Sequence, residues 1–525
     1  MTQDNIAGWP KKITVERKIV NLLSRSLYAD FPRAIRETVS NSYDADATVV
    51  KIQVDLKNKE VVVEDNGNGM SVEQFDKYLR IAGTKAEEGF SEKFKRKRIG
   101  RFGVGFLACF PFCENLEITS KREGLEVGFT ANISAKRFVQ GAGVEEEISS
   151  IPIEGYNEPY PGKKHEHHTI IRMTGLTELV DDYFKARREK RITMESKPGM
   201  ERLIWQLCET LPLDFTDKNS ETAQYLENEP IGMEVWLNGK RLYRNDPGGQ
   251  ILASTEKTFI KQGNLEFKYV VKTDWKIIHP VEARGLKIRL NGVGIGPRTY
   301  FDIEKEVRTF SRLNWLSGEV KIIGGLDESL ALTRDSFIWS PDYQALKDFF
   351  HTILLRVHSK VEKVASVEKE ISEALSAKGT MRLVPMEEII NRSIKQLDKA
   401  GVHIVHKKRE EIGDMQSPIV VDKKRNIATV IDDYPEIEDT TEVSQRGVVR
   451  IRYKAFERAA ELTEPVRLAE DGAIELNTSY LIFSGKTRGD VLRRIHVLLF
   501  MAKRECKTVD EMYKYLVKKI KEQFE

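Results

Sequence analysis

Glu37, Asn41 and Asp44 stand at i, i+4 and i+7 in the stretch RETVSNSYDADA, and on a helix that spacing puts their side chains along one stripe. Ile35 and Val39 fall on another side, where they can pack inward. A carboxylate and an amide one turn apart suit a metal–water site, in which the amide oxygen ligates magnesium and the carboxylate polarises a water. The same spacing also describes a solvated polar face with an apolar backing. A second group, Asp65-Asn66-Gly67-Asn68-Gly69, follows a hydrophobic strand. Its carboxylate can accept hydrogen bonds and its glycines let a ligand approach the backbone, although Asn-Gly is equally a hairpin-turn signal. A third, GRFGVGF at 100–106, places glycine amides where they can line an anion, ahead of an apolar segment able to open a helix. A flexible loop is the plainer reading of that pattern.

The elements that must position these groups are legible as periodicities. Residues 11–45 read as helical, with Pro32 suited to the first turn of a second helix. TVVKIQVDL (48–56) and EVVVE (60–64) are β-branched runs joined by a polar turn, which predicts a hairpin. Strands are expected again at 117–121, 125–133 and 168–174. The polar stretch 216–230 reads as a linker, and MEVWLNGKRLY, LEFKYVV, GLKIRLNGVGIG and EVKIIGG read as strands of a second α/β unit beyond it. Residues 341–378 are mostly helix, and the remainder mixes a helix, charged strands and a closing helical region from Arg488. The apolar stripe through Val491, Ile495, Leu498 and Leu499 predicts core packing, with dimerisation as the alternative. The expected fold class is α/β (α+β).

In order and spacing, residues 37–45 (ETVSNSYDA), 65–70 (DNGNGM) and 99–110 (IGRFGVGFLACF) resemble the GHKL ATPase superfamily of gyrase B, the 90-kDa heat-shock chaperones, histidine kinases and MutL. Thr169 in HTIIRM is similar to the family's late Thr-x-Ile strand, with His168 where glycine is usual. The resemblance implies a Bergerat two-layer α/β sandwich over residues 1–217 that holds ATP and Mg. Glu37 would be the general base and Asn41 the magnesium ligand, while Asp65 would accept a hydrogen bond from the adenine amino group. Asp44, Ala45, Gly67, Gly69, Met70 and Thr169 would complete the nucleotide pocket. Gly100, Arg101, Phe102, Gly103, Val104, Gly105 and Phe106 would form the phosphate loop. Residues 71–99 would be a lid, in which Gly83-Thr84-Lys85 is similar to the chaperones' lid segment, with Thr84 and Lys85 near the phosphates. Residues 326–345 look like the chaperones' middle domain, which makes 218–345 a transducer-like unit. Arg334 would there reach the γ-phosphate, an ion pair with Asp335 or Asp327 being the alternative. A connecting helical segment (346–379) and a mixed C-terminal domain (380–525) would follow, the latter serving dimerisation or partner binding.

Composition narrows the function classes. Lys and Arg number 84 and Asp and Glu 81, so the net charge of +3 argues against a histone-like polyanion binder. Four cysteines cannot build a disulfide framework, and Cys109 and Cys113 have no second pair nearby for zinc, which fits a reducing cytoplasm. No apolar run approaches a membrane span. The basic run Lys93, Lys95, Arg96, Lys97, Arg98 and Arg101 is either a solvated face or a phosphate or nucleic-acid contact. The histidines at 165, 167 and 168 lack a distant metal partner, and Gly485-Lys486-Thr487 lacks the upstream glycine of a P-loop. Two functions stand foremost: a chaperone-like conformational ATPase, as a homodimer acting on a client protein, or a MutL-, MORC- or topoisomerase-like ATPase acting on nucleic acid. The second is supported by DADATVVKIQVD, which is similar to a MutL segment. A histidine kinase would need a phosphoacceptor hairpin ahead of Glu37, for which there is little room. A module that binds nucleotide without hydrolysing it is disfavoured by Glu37 and Asn41 together.

Overall fold

The computed structural model describes residues 30–524 except 81–88, 101–104, 141–152, 186–191, 218–219, 227–230, 247, 256–259, 263, 308–309, 332–334, 377–385, 409–410, 412–416, 433–438, 444–446, 455–465, 471, 478–497, 500, 503–504 and 507. The chain divides into two compact units, 1–355 and 356–525.

In the first unit, α1 (Phe31–Asp44) begins where Asp30, in extended backbone, caps the Arg33 amide at 3.0 Å and proline occupies the first turn. The segment of 11–45 that precedes it lies outside the described residues. β1 (Val49–Asp55) and β2 (Glu60–Asp65) form the expected antiparallel hairpin. Their alternation buries Val50, Ile52 and Val54 from one strand and Val61, Val63 and Asp65 from the other. A carboxylate therefore stands at a core-facing position. α2 (Val72–Tyr78) opens with a capping box between Ser71 and Gln74. A 3-10 helix, Gly105–Phe112, leads into β3 (Cys113–Lys121). β4 (Val127–Ile133), β5 (Glu154–Pro159) and β6 (His168–Leu176) follow.

Among the described residues the first sheet runs β5-β4-β3-β6-β2-β1 and is then extended by β7 (Glu234–Leu237) and β8 (Lys240–Arg241). This differs from the sequence reading, which placed MEVWLNGKRLY in the second unit. β7 runs parallel to β1, and Asn238 fixes the join: its Oδ1 accepts from the Val54 amide at 2.8 Å and its Nδ2 donates back to the Val54 carbonyl. A four-residue alternation says that a strand forms without saying which sheet it joins. The polar stretch 216–230 likewise contains a short helix, Glu221–Leu226, whose Ala223 and Leu226 pack on Phe215 and Val270, so it is not simply a linker.

The second sheet of this unit contains β9 (Gln250–Ser254), β10 (Ile260–Gln262), β11 (Leu265–Thr273), β12 (Gly285–Leu290), β13 (Val293–Thr299) and β14 (Leu316–Gly324). Its order is β10-β11-β14-β12-β13, with β9 also paired to β11. GLKIRLNGVGIG is the β12–β13 hairpin, turned at Asn291 and Gly292, both with positive φ. A long helix, Pro341–Ser376, starts against this sheet, and Phe350 stacks on Phe301 with ring centroids 4.8 Å apart. Glu319, on β14, is buried between Arg244 and Arg289, each 2.9 Å away.

In the second unit, β15 (His403–Lys407) pairs parallel with β17 (Ile427–Ile431), which pairs antiparallel with β16 (Ile419–Asp422). A further sheet has the order β18 (Asp439–Val443), β19 (Gly447–Lys454), β21 (Ile474–Asn477), β20 (Val466–Leu468). The closing helix Val509–Phe524 buries Met512, Leu516 and Ile520 against Ile474, Leu498 and Leu499. The last two are core residues, while Val491 and Ile495 lie outside the described residues. The α/β class expected from sequence holds. No helix among the described residues is long and apolar enough to cross a membrane.

Candidate nucleotide site

Three neighbouring strands carry one polar row. Asp65 on β2 is paired with Thr169 on β6, and Thr169 with Ser120 on β3. All three side chains are buried. Ser42 Oγ donates to Asp65 Oδ2 at 2.7 Å and the Gly67 amide donates to Oδ1 at 2.8 Å. Thr169 Oγ1 lies 3.0 Å from Ser120 Oγ, which accepts the Met70 amide at 2.9 Å. Burial pushes the Asp65 carboxyl up to about 6, against the pull of its two donors. Asp65 and Thr169 of this row line a cavity of about 580 Å³, together with residues that include Asn41, Asp44, Ala45, Gly69 and Met70.

Space at the glycines is closed. A Cβ on Gly67 would come 2.7 Å from the Ala45 carbonyl oxygen, and one on Gly69 only 1.9 Å from that of Lys121. Gly69 also holds φ at +67°. At positions 67 and 69 the backbone thus passes too close to the end of α1 and to β3, respectively, for a side chain. Gly69→Ala is expected to destabilise the fold by more than about 2 kcal/mol, strain and clash together, measured as a lowered urea midpoint. An unchanged midpoint would show that this turn relaxes freely.

α1 supplies the other wall. Glu37 is buried, and its Oε1 accepts from Arg36 Nη2 at 3.1 Å. Its Oε2 lies 3.4 Å from where a Gly105 Cβ would stand, and Asn41 Nδ2 lies 3.7 Å from the same point. The expected base, the expected metal ligand and the end of the glycine loop therefore converge. Asp44 has a second role: its Oδ1 accepts the Ile99 amide at 2.7 Å and its Oδ2 the Gly100 amide at 2.6 Å, which staples the start of the glycine motif to the last turn of α1. Phe106 is buried with its ring against Tyr78 and Phe110. Thr84, Lys85, Arg101, Phe102, Gly103, Val104 and Arg334 lie outside the described residues.

Several functional partners were not visible in sequence. Ser42 and Ser120 act across strands, where no period marks them. Asp46, at φ 63°, accepts from Ser91 Oγ at 2.6 Å and from the Lys93 and Phe94 amides at 2.7 and 3.1 Å. Burial alone would raise its carboxyl; these donors hold it below the usual range. Lys77 and Arg122 also line the cavity. The basic run divides. Arg96 donates to the carbonyls of Ala47 and Gly232, each at 2.7 Å, and lies over the Tyr43 and Phe94 rings. Lys97 donates to Asp327 at 2.8 Å. These two are internal contacts, whereas Lys93 and Lys95 are not buried. Of the carboxylates considered as partners for Arg334, Asp327 pairs with Lys97, and Asp335 with Arg33 and Arg36. His167 Nδ1 lies 2.7 Å from the Gly67 carbonyl oxygen. Burial pushes the Cys109 thiol up to about 11.

Asn41 brings one amide oxygen to this part of the chain, a donor of the type that magnesium accepts alongside phosphate and water oxygens. Among the described residues no group of three His, Cys, Asp or Glu side chains converges into a protein-only cage.

Residues 28–168 match the family model described as histidine kinase-, DNA gyrase B-, and HSP90-like ATPase. The chain is similar to a protein of Herpetosiphon aurantiacus named as type II restriction enzyme HgiDII, 37% identical over 111 residues, 21% of this chain and 18% of that one. It is similar to the chaperone protein HtpG of Alkaliphilus metalliredigens, 26% identical over 201 residues, 34% of this chain and 29% of the relative. It is also similar to the mitochondrial TNF receptor-associated protein 1 homolog of Dictyostelium discoideum, 29% identical over 145 residues, 22% of this chain and 20% of the relative. The chain therefore spans less than a third of each of these relatives.

Proposed function

We propose that this chain, whose residues 28–168 belong to the histidine kinase-, DNA gyrase B-, and HSP90-like ATPases, binds ATP in the 580 Å³ cavity and hydrolyses it. The observation that carries the reading is Asp65, a carboxylate at a core-facing strand position, held from two sides by Ser42 and Gly67 beside a glycine turn with no room for a side chain. Its remaining acceptor capacity is directed to the adenine amino group. Glu37 takes a proton from water as the water oxygen bonds to the γ-phosphorus and the bond to the β–γ bridging oxygen breaks, giving ADP and phosphate. Asn41 would hold magnesium, which would supply neutralisation of phosphate charge. The glycine loop, beginning at the Gly100 amide held by Asp44, receives the phosphates. Closure of 71–99 over the nucleotide and approach of Arg334 to the γ-phosphate would couple hydrolysis to a conformational cycle, in a homodimer acting on a client protein.

A second reading, action on DNA, is favoured by the similarity to the protein named as a restriction enzyme. One experiment tests both: magnesium-dependent ATP turnover measured alone, with DNA, with RNA and with an unfolded polypeptide, at several salt concentrations. Stimulation by polypeptide supports the chaperone-like cycle, and salt-sensitive stimulation by nucleic acid supports the second reading. No magnesium-dependent affinity for adenine nucleotides by calorimetry would overturn both.

A further inference from the structure

The first unit holds another cavity, of about 470 Å³, whose lining shares no residue with the nucleotide cavity. α1 separates the two. At about 100° per residue, Pro32, Arg33 and Arg36 occupy one side of the helix and line the 470 Å³ cavity, whereas Thr38, Asn41, Ser42 and Ala45 occupy the other side and line the first. The remaining wall comes from the helix Gly199–Thr210 and from β12 and β13. On β12, Lys287 is 3% exposed and its ammonium donates to the Gly296 carbonyl. No carboxylate of the described residues forms an ion pair with it. Glu209 attracts it from further off, but both Glu209 oxygens accept from Arg298, at 2.8 and 3.0 Å. The guanidinium groups of Arg289, Arg298 and Arg36 repel it, and burial, the largest effect, helps push it down to about 8. An ammonium can donate three hydrogen bonds, and burying one unpaired is costly. Other cations of the wall are better served. Arg33 pairs with Asp30 and Asp335, and Arg284, only half-buried, donates to the Ile278 carbonyl and to Asn314 Oδ1.

We propose that this cavity binds a small organic monocarboxylate, whose anion pairs with Lys287 and whose apolar body lies against Trp205, Val281 and Pro297. The volume suits one small molecule, and sites of this size combine apolar walls with a few placed polar groups. A single charge follows from the lining, in which five cationic side chains face four carboxylates and leave an excess of one. A dianion such as a phosphate ester would meet those carboxylates with charge to spare, and like charges placed together are costly. The carboxylate supplies the ammonium with the acceptors that Gly296 alone does not, in a buried setting where a charge-assisted bond is strong. The inference goes beyond the nucleotide reading and does not rest on it.

The test is calorimetry of the full chain with three probes of one shape: 2-naphthoate, the neutral 2-naphthamide and 2-naphthyl phosphate. Naphthoate is expected to bind one-to-one with Kd below about 1 mM, and the other two at least about tenfold more weakly. A second readout is proton uptake. At about pH 8.5 Lys287 is mostly uncharged before binding, so pairing with naphthoate draws in a proton and the heat varies with the ionisation enthalpy of the buffer. At about pH 6.5 the ammonium is already protonated, and that variation is expected to disappear. Lys287→Met is expected to weaken naphthoate at least about tenfold and to remove the proton uptake at the higher pH. No saturable binding of naphthoate overturns the proposal, as does binding that Lys287→Met leaves unchanged. Equal binding of naphthamide reduces the site to apolar burial and overturns the role of Lys287; equal or tighter binding of naphthyl phosphate overturns the monocarboxylate assignment. Should Lys287→Met fail to fold, Val281→Trp, which fills the cavity and keeps the ammonium, decides: lost naphthoate binding supports the site, and unchanged binding overturns it.

Discussion

Glu37→Ala is expected to retain ATP binding and to slow hydrolysis by about 10²–10⁴, the weight of a general base. The separation follows from where Glu37 sits. It is not among the residues that line the 580 Å³ cavity, whereas Asn41, Asp44, Asp65, Gly69 and Thr169 are. Its Oε2 instead faces Gly105, in the loop proposed above to receive the phosphates. Alanine therefore removes the proton acceptor and leaves the base-binding end intact. One side effect must be controlled: Arg36 is buried and loses the Glu37 partner, though it keeps Asp335. Losing one partner of a buried pair is destabilising. Glu37→Gln keeps the shape and one acceptor oxygen, so it should show the same kinetic loss with a smaller drop in melting temperature. Calorimetry for affinity and phosphate release for turnover measure the two quantities independently. A parallel loss of both in the glutamine variant would move Glu37 from chemistry to binding.

How far the sequence could be read depended on whether each feature has a local period. α1 and the β1–β2 hairpin do, because Ile35, Val39, Val50, Ile52, Val61 and Val63 must all reach one core. Asp65 was legible for another reason: it follows an apolar run at the head of the glycine-punctuated stretch DNGNG. β5 escaped because its residues are exposed almost throughout, so burial imposes no alternation on Glu154–Pro159. β7 was recognised as a strand but assigned to the wrong sheet, since its pairing with β1 rests on Asn238 closing a contact 184 residues away in sequence. The same non-locality hid Ser42 and Ser120 as partners of the site, and hid Asp46 as the residue that organises 91–94. The basic run shows the opposite failure: composition suggested one surface, whereas Arg96 and Lys97 are drawn inward by carbonyls, rings and Asp327.

Asp65→Asn is expected to reduce ATP affinity at least about 10²-fold while leaving the unliganded fold as stable as the parent, or more so. Affinity falls because one oxygen of an acceptor-only group becomes a donor, in a site proposed to receive the adenine amino hydrogen; a charge-assisted bond lost there is worth about 1.5–3 kcal/mol, and a donor facing a donor adds to it. The fold tolerates asparagine because the two native donors differ. The Gly67 amide cannot turn, so the asparagine oxygen faces it; Ser42 can, since its Oγ already lies 3.3 Å from the Thr38 carbonyl oxygen and can donate there while accepting from the new amide. Burial also makes the native carboxylate unfavourable. With the folded value raised from 3.8 to about 6, the stabilising contribution is complete below pH 3.8 and is lost as pH rises through 6, so ionised Asp65 costs about 3 kcal/mol at neutral pH. Asparagine carries no such cost. The same shift gives the parent a pH signature: ATP binding to the ionised form should weaken toward tenfold per unit as pH falls below about 6, and Asp65→Asn should flatten that dependence. Thermal melting between pH 5 and 8 with and without ATP reads both effects, because ATP raises the melting temperature only where it binds. ATP-dependent stabilisation in Asp65→Asn equal to that of the parent would remove Asp65 from adenine recognition.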